Sequence, residues 1–274
     1  MAKGDEPVYW HEAGFEAFQL ELHEYREFLH FESEHQLSKE ALRVDILVIK
    51  KRPDIRIEKN IGQIFREHNI IEYKPESDYL SISGYYKVLG YACLYVSFTP
   101  VAASDVTVTF SVVTHPRELL KYLRNKPGIS VSEKAPGIYY VEGGMFPVQI
   151  LEGKKLSENE NIFLRNLRSN LSQEETKNTI EAYRRLGYNE RKNVFIDRVF
   201  QANRVNCQEV MMVSEIAKEV ILTTEAGQQW LKERDIENAI ENAKEFARRL
   251  LRRGRPIEEI VEDSGLSYEI VMSL

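Results

Sequence analysis

The stretch Leu42-Arg43-Val44-Asp45-Ile46-Leu47-Val48-Ile49-Lys50 is apolar on both sides of a single acid. Strand side chains alternate between faces, so a run apolar at odd and even positions reads as a strand buried on both. A buried carboxylate without a partner costs several kcal/mol, so Asp45 calls for a hydrogen-bond partner, a cation or water. A second apolar run, Ile70-Ile71-Glu72-Tyr73-Lys74, carries an acid and a lysine two residues apart, pointing to the same side. If the two strands are neighbours, Asp45, Glu72 and Lys74 converge on one metal-sized point.

The surrounding pattern is mixed. Residues from about Tyr9 to Leu29 read as a helix, with Phe15, Phe18, Leu22 and Tyr25 at three- and four-residue steps. Phe28 to Leu37 is a further strand candidate, and Lys50-Lys51-Arg52-Pro53-Asp54 a turn. Ser81 to Ser97 is predicted helical, Asp105 to Thr114 a Val/Thr-rich strand, and Pro116 to Arg124 a short helix opened by proline. Gly137 to Glu142 and Phe146 to Glu152 are extended runs separated by a Gly143-Gly144 turn. Beyond Ser157 the pattern is helical: Glu160 to Asn170, Gln173 to Leu186, Lys192 to Gln208, Glu215 to Leu222 and the charged Arg234 to Arg253. Gly254-Arg255-Pro256 breaks that last helix. Ile257 to Asp263 and Tyr268 to Leu274 follow as short helices, with Gly265 suited to a C-cap and Ser267 to an N-cap.

Hydrophobic content of 43% and charged content of 29% describe an ordinary soluble globular chain with room for a sizeable core. The net charge of −6 supplies no global field for nucleic acid, so binding DNA requires a local basic patch or cations at the acids. Cys93 and Cys207 are far apart and in no metal-ligand spacing, which argues against a disulfide scaffold or zinc site and for a reducing compartment. The six histidines show no ligand spacing either, although His11, beside Glu12, falls near the acidic cluster. The N-terminal residues have no apolar signal core and no run reaches membrane-spanning length, so a cytoplasmic chain with no membrane partner is expected.

A carboxylate pair offers the hard oxygen ligands that Mg2+ or Mn2+ prefers. Such an ion makes bound water more nucleophilic and polarises a phosphoryl oxygen. A lysine two residues from a ligand can orient that water or steady the developing charge. The Tyr73 side chain points the other way into the core, while its backbone carbonyl is a candidate further ligand. The plain alternative is a solvated Glu-Lys pair and a satisfied polar Asp45.

These residues carry a resemblance. Asp45 in an apolar strand, Glu72 and Lys74 on the next, a helix before and the Tyr85-Tyr86-Lys87-Val88-Leu89-Gly90-Tyr91 helix after resemble the PD-(D/E)XK nuclease superfamily. More narrowly, they resemble the Rpn-like recombination-promoting nucleases and PD-(D/E)XK family transposases. The C-terminal Ala247-Arg248-Arg249-Leu250-Leu251-Arg252-Arg253-Gly254, Ile257-Glu258-Glu259-Ile260 and Ser264-Gly265-Leu266-Ser267 add to the likeness. The resemblance implies a restriction-endonuclease-like mixed β-sheet core flanked by helices, with a helical C-terminal extension. It implies a Mg2+-dependent DNA endonuclease, with Mn2+ able to substitute, acting in DNA mobility or recombination. Asp45 matches the metal-binding aspartate, Glu72 the second acid and Lys74 the lysine. A first-helix acid joins them, Glu12 or, one turn later, Glu16. One departure is that Val44 stands where the family has proline. The competing reading is a catalytically silent nucleic-acid-binding or regulatory protein on the same fold.

The expected division is a nuclease-like core over 1–156, a helical region over 157–229, and a charged helix with a short helical pair over 230–274. Lys87 is a candidate phosphate contact beside half-buried tyrosines. Arg248 and Arg252, in a cluster with Arg249, Arg253 and Arg255, either touch DNA phosphate or pair with Glu237, Glu241 and Glu245 on a helix that serves docking or self-association.

Overall fold

The computed structural model describes residues 10–36, 43–52, 54–186 and 193–274. Tyr9, Leu37, Leu42, Pro53 and Lys192, which bound several of the expected elements, lie outside them. The chain divides into two compact units, Met1–Val220 and Ile221–Leu274.

The first unit is built on a seven-stranded mixed sheet. Its strands are β1 (Leu29–Gln36), β2 (Arg43–Lys50), β3 (His68–Lys74), β4 (Val106–Val112), β5 (Ser130–Ala135), β6 (Ile138–Glu142) and β7 (Val148–Glu152), in the order β1-β2-β3-β4-β7-β6-β5. The three central strands β3, β4 and β7 are parallel, and antiparallel pairs flank them on both sides. The β1–β2 and β5–β6 hairpins form the two outer edges.

Register decides what each face carries. Leu47 pairs with Ile70, Glu72 with Phe110 and Lys74 with Val112, while Phe110 pairs with Ile150 and Val112 with Glu152. Asp45, Glu72, Lys74 and Glu152 therefore project from one face, together with the apolar Leu47, Ile70, Phe110 and Ile150. Helices α2 (Ile82–Phe98) and α3 (Arg117–Arg124) cover the apolar part of that face. Tyr85 of α2 stacks on Phe110 with ring centroids 5.4 Å apart. Ser81 caps α2 by accepting from the Gly84 N–H at 3.0 Å.

The opposite face holds Tyr73, Asn69, Thr107 and Thr109 and is met by α1 (Trp10–Glu21). Gly14 is what lets α1 come close: a β-carbon there would lie 2.9 Å from Tyr73 Cγ. The Tyr73 hydroxyl donates to the Leu167 carbonyl at 3.0 Å, which satisfies a phenol buried at 1% exposure. Helices α4 (Glu158–Asn166), α5 (Gln173–Arg185), α6 (Val194–Ala202), α7 (Arg204–Val213) and α8 (Glu215–Leu222) follow. Both α4 and α6 pack on α1.

Three expectations are corrected. The first helix stops at Glu21 rather than Leu29: a 3-10 turn over His23–Phe28 intervenes, and the Tyr25 hydroxyl accepts from the Glu58 N–H at 3.0 Å. The single helix expected to Gln208 is broken at Asn203. Its side chain accepts from the Leu171 N–H at 2.8 Å and donates to the Arg168 and Val199 carbonyls at 2.9 and 3.0 Å. The charged C-terminal helix begins earlier than Arg234, where the Thr224 hydroxyl accepts from the Gly227 N–H at 2.9 Å. Strand β5 went unread: Ser, Glu and Lys on an exposed edge leave no apolar alternation.

In the second unit, α9 (Glu225–Arg252) carries Ala247 and Leu250 into a small core with Ile260 of α10 (Ile257–Ser264), Leu266 and Val271 of α11 (Tyr268–Met272). Gly265 ends α10 at φ 67° and Ser267 caps α11, as the sequence implies. Among the described residues no helix is long and apolar enough to cross a membrane.

Candidate active site

The β2–β3 ladder ends at Ile46 opposite Ile71. Beyond that point the Tyr73 N–H finds no strand partner on β2 and donates instead to Asp45 Oδ2 at 3.0 Å. The acid that interrupts an apolar run thus takes the place of a backbone carbonyl where the ladder opens. Asp45 Oδ2 also accepts from His11 Nδ1 at 3.1 Å, from the first turn of α1.

Glu72 and Lys74 leave β3 on the same face, and Lys74 Nζ lies 3.1 Å from Glu72 Oε1 and 2.8 Å from Asp78 Oδ2. The side chains of Asp45, Glu72 and Lys74 are 21%, 13% and 17% exposed, so the group sits at a half-open rim rather than in the core. This rim is the C-terminal edge of the parallel strands, where open α/β sheets present their ligand sites.

The electrostatics follow from crowding. Burial, then the charge of Asp45, pushes the Glu72 carboxyl above its usual range, against the opposing pull of Lys74 and His11. Burial alone would lower Lys74, but its hydrogen bonds to Asp78 and Glu72 leave it raised, so it stays cationic at neutral pH. The hydrogen bond to Asp45 raises His11 above an ordinary imidazole, partly offset by burial.

These residues can be tested against a metal. Among the described residues no three His, Cys, Asp or Glu side chains form a metal-holding group. Mg2+, however, takes one or two carboxylates and keeps several waters. The charge of Asp45 adds to the cost of ionising Glu72, which a cation would relieve. The N–H and C=O of a strand residue open to the same neighbour, so the Tyr73 carbonyl faces the gap beside Asp45. Two carboxylates and one carbonyl fit a hydrated hard cation and do not fit zinc.

No known protein family, curated protein or solved structure matches the chain.

The other candidate residues are distributed as follows. Glu12 is exposed on α1 and makes no hydrogen bond or ion pair among the described residues. His11, its neighbour, makes the contact to Asp45. Glu16 is buried and accepts from the Phe195 N–H at the start of α6, with the Tyr183 hydroxyl 3.5 Å away. It satisfies helix N–H groups that α6 leaves open, because Asn193 makes no side-chain cap. Glu21 does the same where α4 restarts after a kink at Asn161 (φ −137°, ψ 45°), accepting from Phe163 and Leu164 N–H at 2.8 and 3.2 Å. Lys87 is exposed, its ammonium 5.6 Å from the Tyr91 ring centroid. In the second unit Arg248 pairs with Glu241 at 3.2 Å, while Arg252 makes no ion pair among the described residues.

Two further groups on the rim had no sequence signal beyond isolated charges. Asp78 is the second anchor of Lys74. Glu152, at the end of β7, is buried with three donors on Oε2: His115 Nδ1 at 2.7 Å, and the Tyr139 hydroxyl and Lys155 Nζ each at 3.0 Å. Burial would raise Glu152, but those partners hold it below the usual range.

Proposed function

We propose that this chain is a divalent-metal-dependent endonuclease that hydrolyses DNA phosphodiesters, on a restriction-endonuclease-like core of the PD-(D/E)XK type. The observation that carries the reading is the convergence of Asp45, Glu72 and Lys74 where the β2–β3 ladder opens. The likeness of these residues and their flanking elements to Rpn-like recombination-promoting nucleases supports it, and points to DNA mobility or recombination.

In this reading Asp45 and Glu72, with the Tyr73 carbonyl, would hold Mg2+ or Mn2+. The bound ion supplies an acidified water and a polarised phosphoryl oxygen. Lys74, kept cationic by Glu72 and Asp78, orients the water and steadies the charge that develops on the phosphate; it is not a base. His11 orients Asp45 by donating to Oδ2, beside the Tyr73 N–H that donates to the same oxygen. Glu12, one residue on, lies at the solvent side of the same helix turn.

The competing reading is a catalytically silent nucleic-acid-binding protein on the same core. Two observations favour it: the double ion pair that occupies Lys74, and the lack of a third acidic or histidine ligand among the described residues. Asp45→Ala separates the two. It is expected to abolish metal-dependent cleavage while the far-UV circular dichroism stays that of the native chain. A folded Asp45→Ala protein that still cuts removes Asp45 from the reaction.

A further inference from the structure

A groove of about 440 Å3 runs between α2 and α3 on the face that also carries Glu72 and Lys74. Ile82 and Pro127 give it apolar walls, and Lys121, Tyr122 and Lys126 line it. Tyr86, 39% exposed, stands beside it: its ring meets Tyr122 edge to face at 6.3 Å, and the two hydroxyls are 2.9 Å apart. Lys126 donates to the Tyr86 hydroxyl, and its ammonium lies 4.9 and 5.9 Å from the Tyr86 and Tyr122 ring centroids.

Glu118 also lines the groove, so its wall carries Lys121 and Lys126 against one acid, and the segment that supplies this wall is basic in an acidic chain. Residues 117–126 hold Arg117, Lys121, Arg124 and Lys126 against Glu118 alone, a local +3 in a protein of net −6. Most basic side chains elsewhere on this unit are engaged by carboxylates, as Lys59, Lys74, Lys154, Lys155, Arg168 and Arg184 are. Arg117, Lys121 and Arg124 make no ion pair among the described residues. Cations without carboxylate partners beside an exposed Tyr86 and a partly exposed Tyr122 form a combination suited to unpaired nucleic acid, with phosphates on the cations and bases stacked on the rings once the Lys126 side chain turns to phosphate.

The groove also begins close along the chain to the candidate site. Asp78, which holds Lys74, is four residues from Ile82, and four residues span at most about 14 Å. The Tyr79 hydroxyl accepts from the Glu118 N–H at 3.2 Å and ties this connection to the start of α3.

We propose that the α2–α3 groove is the track for a single DNA strand leading to the hydrolytic site, with bases stacked on Tyr86 and Tyr122 and phosphates on Lys121 and Lys126. The inference rests on the proposed hydrolysis for where the strand leads, and it makes the preferred substrate single-stranded or locally opened DNA.

The test is fluorescence anisotropy of the full chain, in EDTA, with a labelled single-stranded oligonucleotide and a blunt duplex of the same length. The native chain is expected to bind the single strand more tightly. Tyr86→Leu combined with Tyr122→Leu should weaken that binding by about 5- to 150-fold for each stacked base lost. Tyr86→Phe with Tyr122→Phe should retain it, because the stacking face survives without the hydroxyl network. Lys121→Gln, at a side chain with no structural partner, should make the slope of log affinity against log salt shallower by about 0.7. Duplex bound as tightly as single strand, or Leu variants that bind like the native chain, overturns the groove whatever a cleavage assay shows. Loss of metal-dependent cutting alone, with groove-dependent binding intact, removes the hydrolytic reading and leaves the strand track standing.

Discussion

At the scale of single residues, the rim shows acids of similar appearance placed under opposite electrostatic pressure. Glu72 is partly buried near Asp45 and its carboxyl is raised, so its favourable contribution is complete below the ordinary glutamate range and is lost as pH rises through the raised value. Glu72→Gln in metal-free buffer should therefore stabilise the protein at pH 8, on the order of 1 kcal/mol. The gain should vanish below the ordinary carboxylate range in paired thermal melts. Glu152 is the reverse case: three donors depress it, and its contribution is present above the ordinary range and lost as pH falls through the depressed value. Glu152→Gln should cost about 1–3 kcal/mol at neutral pH, with the difference closing in acid. Asp45, Glu72 and Lys74 were legible in the sequence because charges inside apolar runs demand partners. The partners themselves were not. Asp78 and Glu152 sit in polar stretches that read as ordinary loops, and choosing among His11, Glu12 and Glu16 requires knowing the rotation of α1.

At the scale of elements, that rotation is set by one contact. Gly14 lies against the Tyr73 ring, and the ring is held by its bond to the Leu167 carbonyl. Gly14→Ala gains about 1 kcal/mol of helix propensity but forces a β-carbon to 2.9 Å from an anchored ring, a kind of overpacking that costs about 1–3 kcal/mol. The clash wins: the expected outcome is a lower melting temperature and weaker cleavage, since His11 rides on the same helix. A variant as stable and active as the native chain would show that α1 is not positioned by this contact. Elements with a strong pattern or cap were readable, among them β2, β3 and β4, and α2 with its Ser81 cap. Those set by tertiary polar contacts were not: the break at Asn203 depends on Arg168 and Leu171, more than thirty residues away.

At the scale of the molecule, the candidate site and the C-terminal helices belong to different compact units. The sheet and the helices on its charged face build their core entirely from residues before 151, while the second unit has its own core around Leu250 and Ile260. A chain ending at Leu222 should keep a cooperative melt, with its helical circular dichroism reduced only by the loss of α9 to α11; a non-cooperative melt would show that the sheet needs the C-terminal helices. The most direct test of the account is nicking of supercoiled plasmid by the purified chain in Mg2+ or Mn2+, beside EDTA and a folded Lys74→Ala variant. Nicking that is lost in both controls is the predicted result. A folded native chain that leaves the plasmid intact with either metal, or a Lys74→Ala variant that cuts like the native chain, would contradict it.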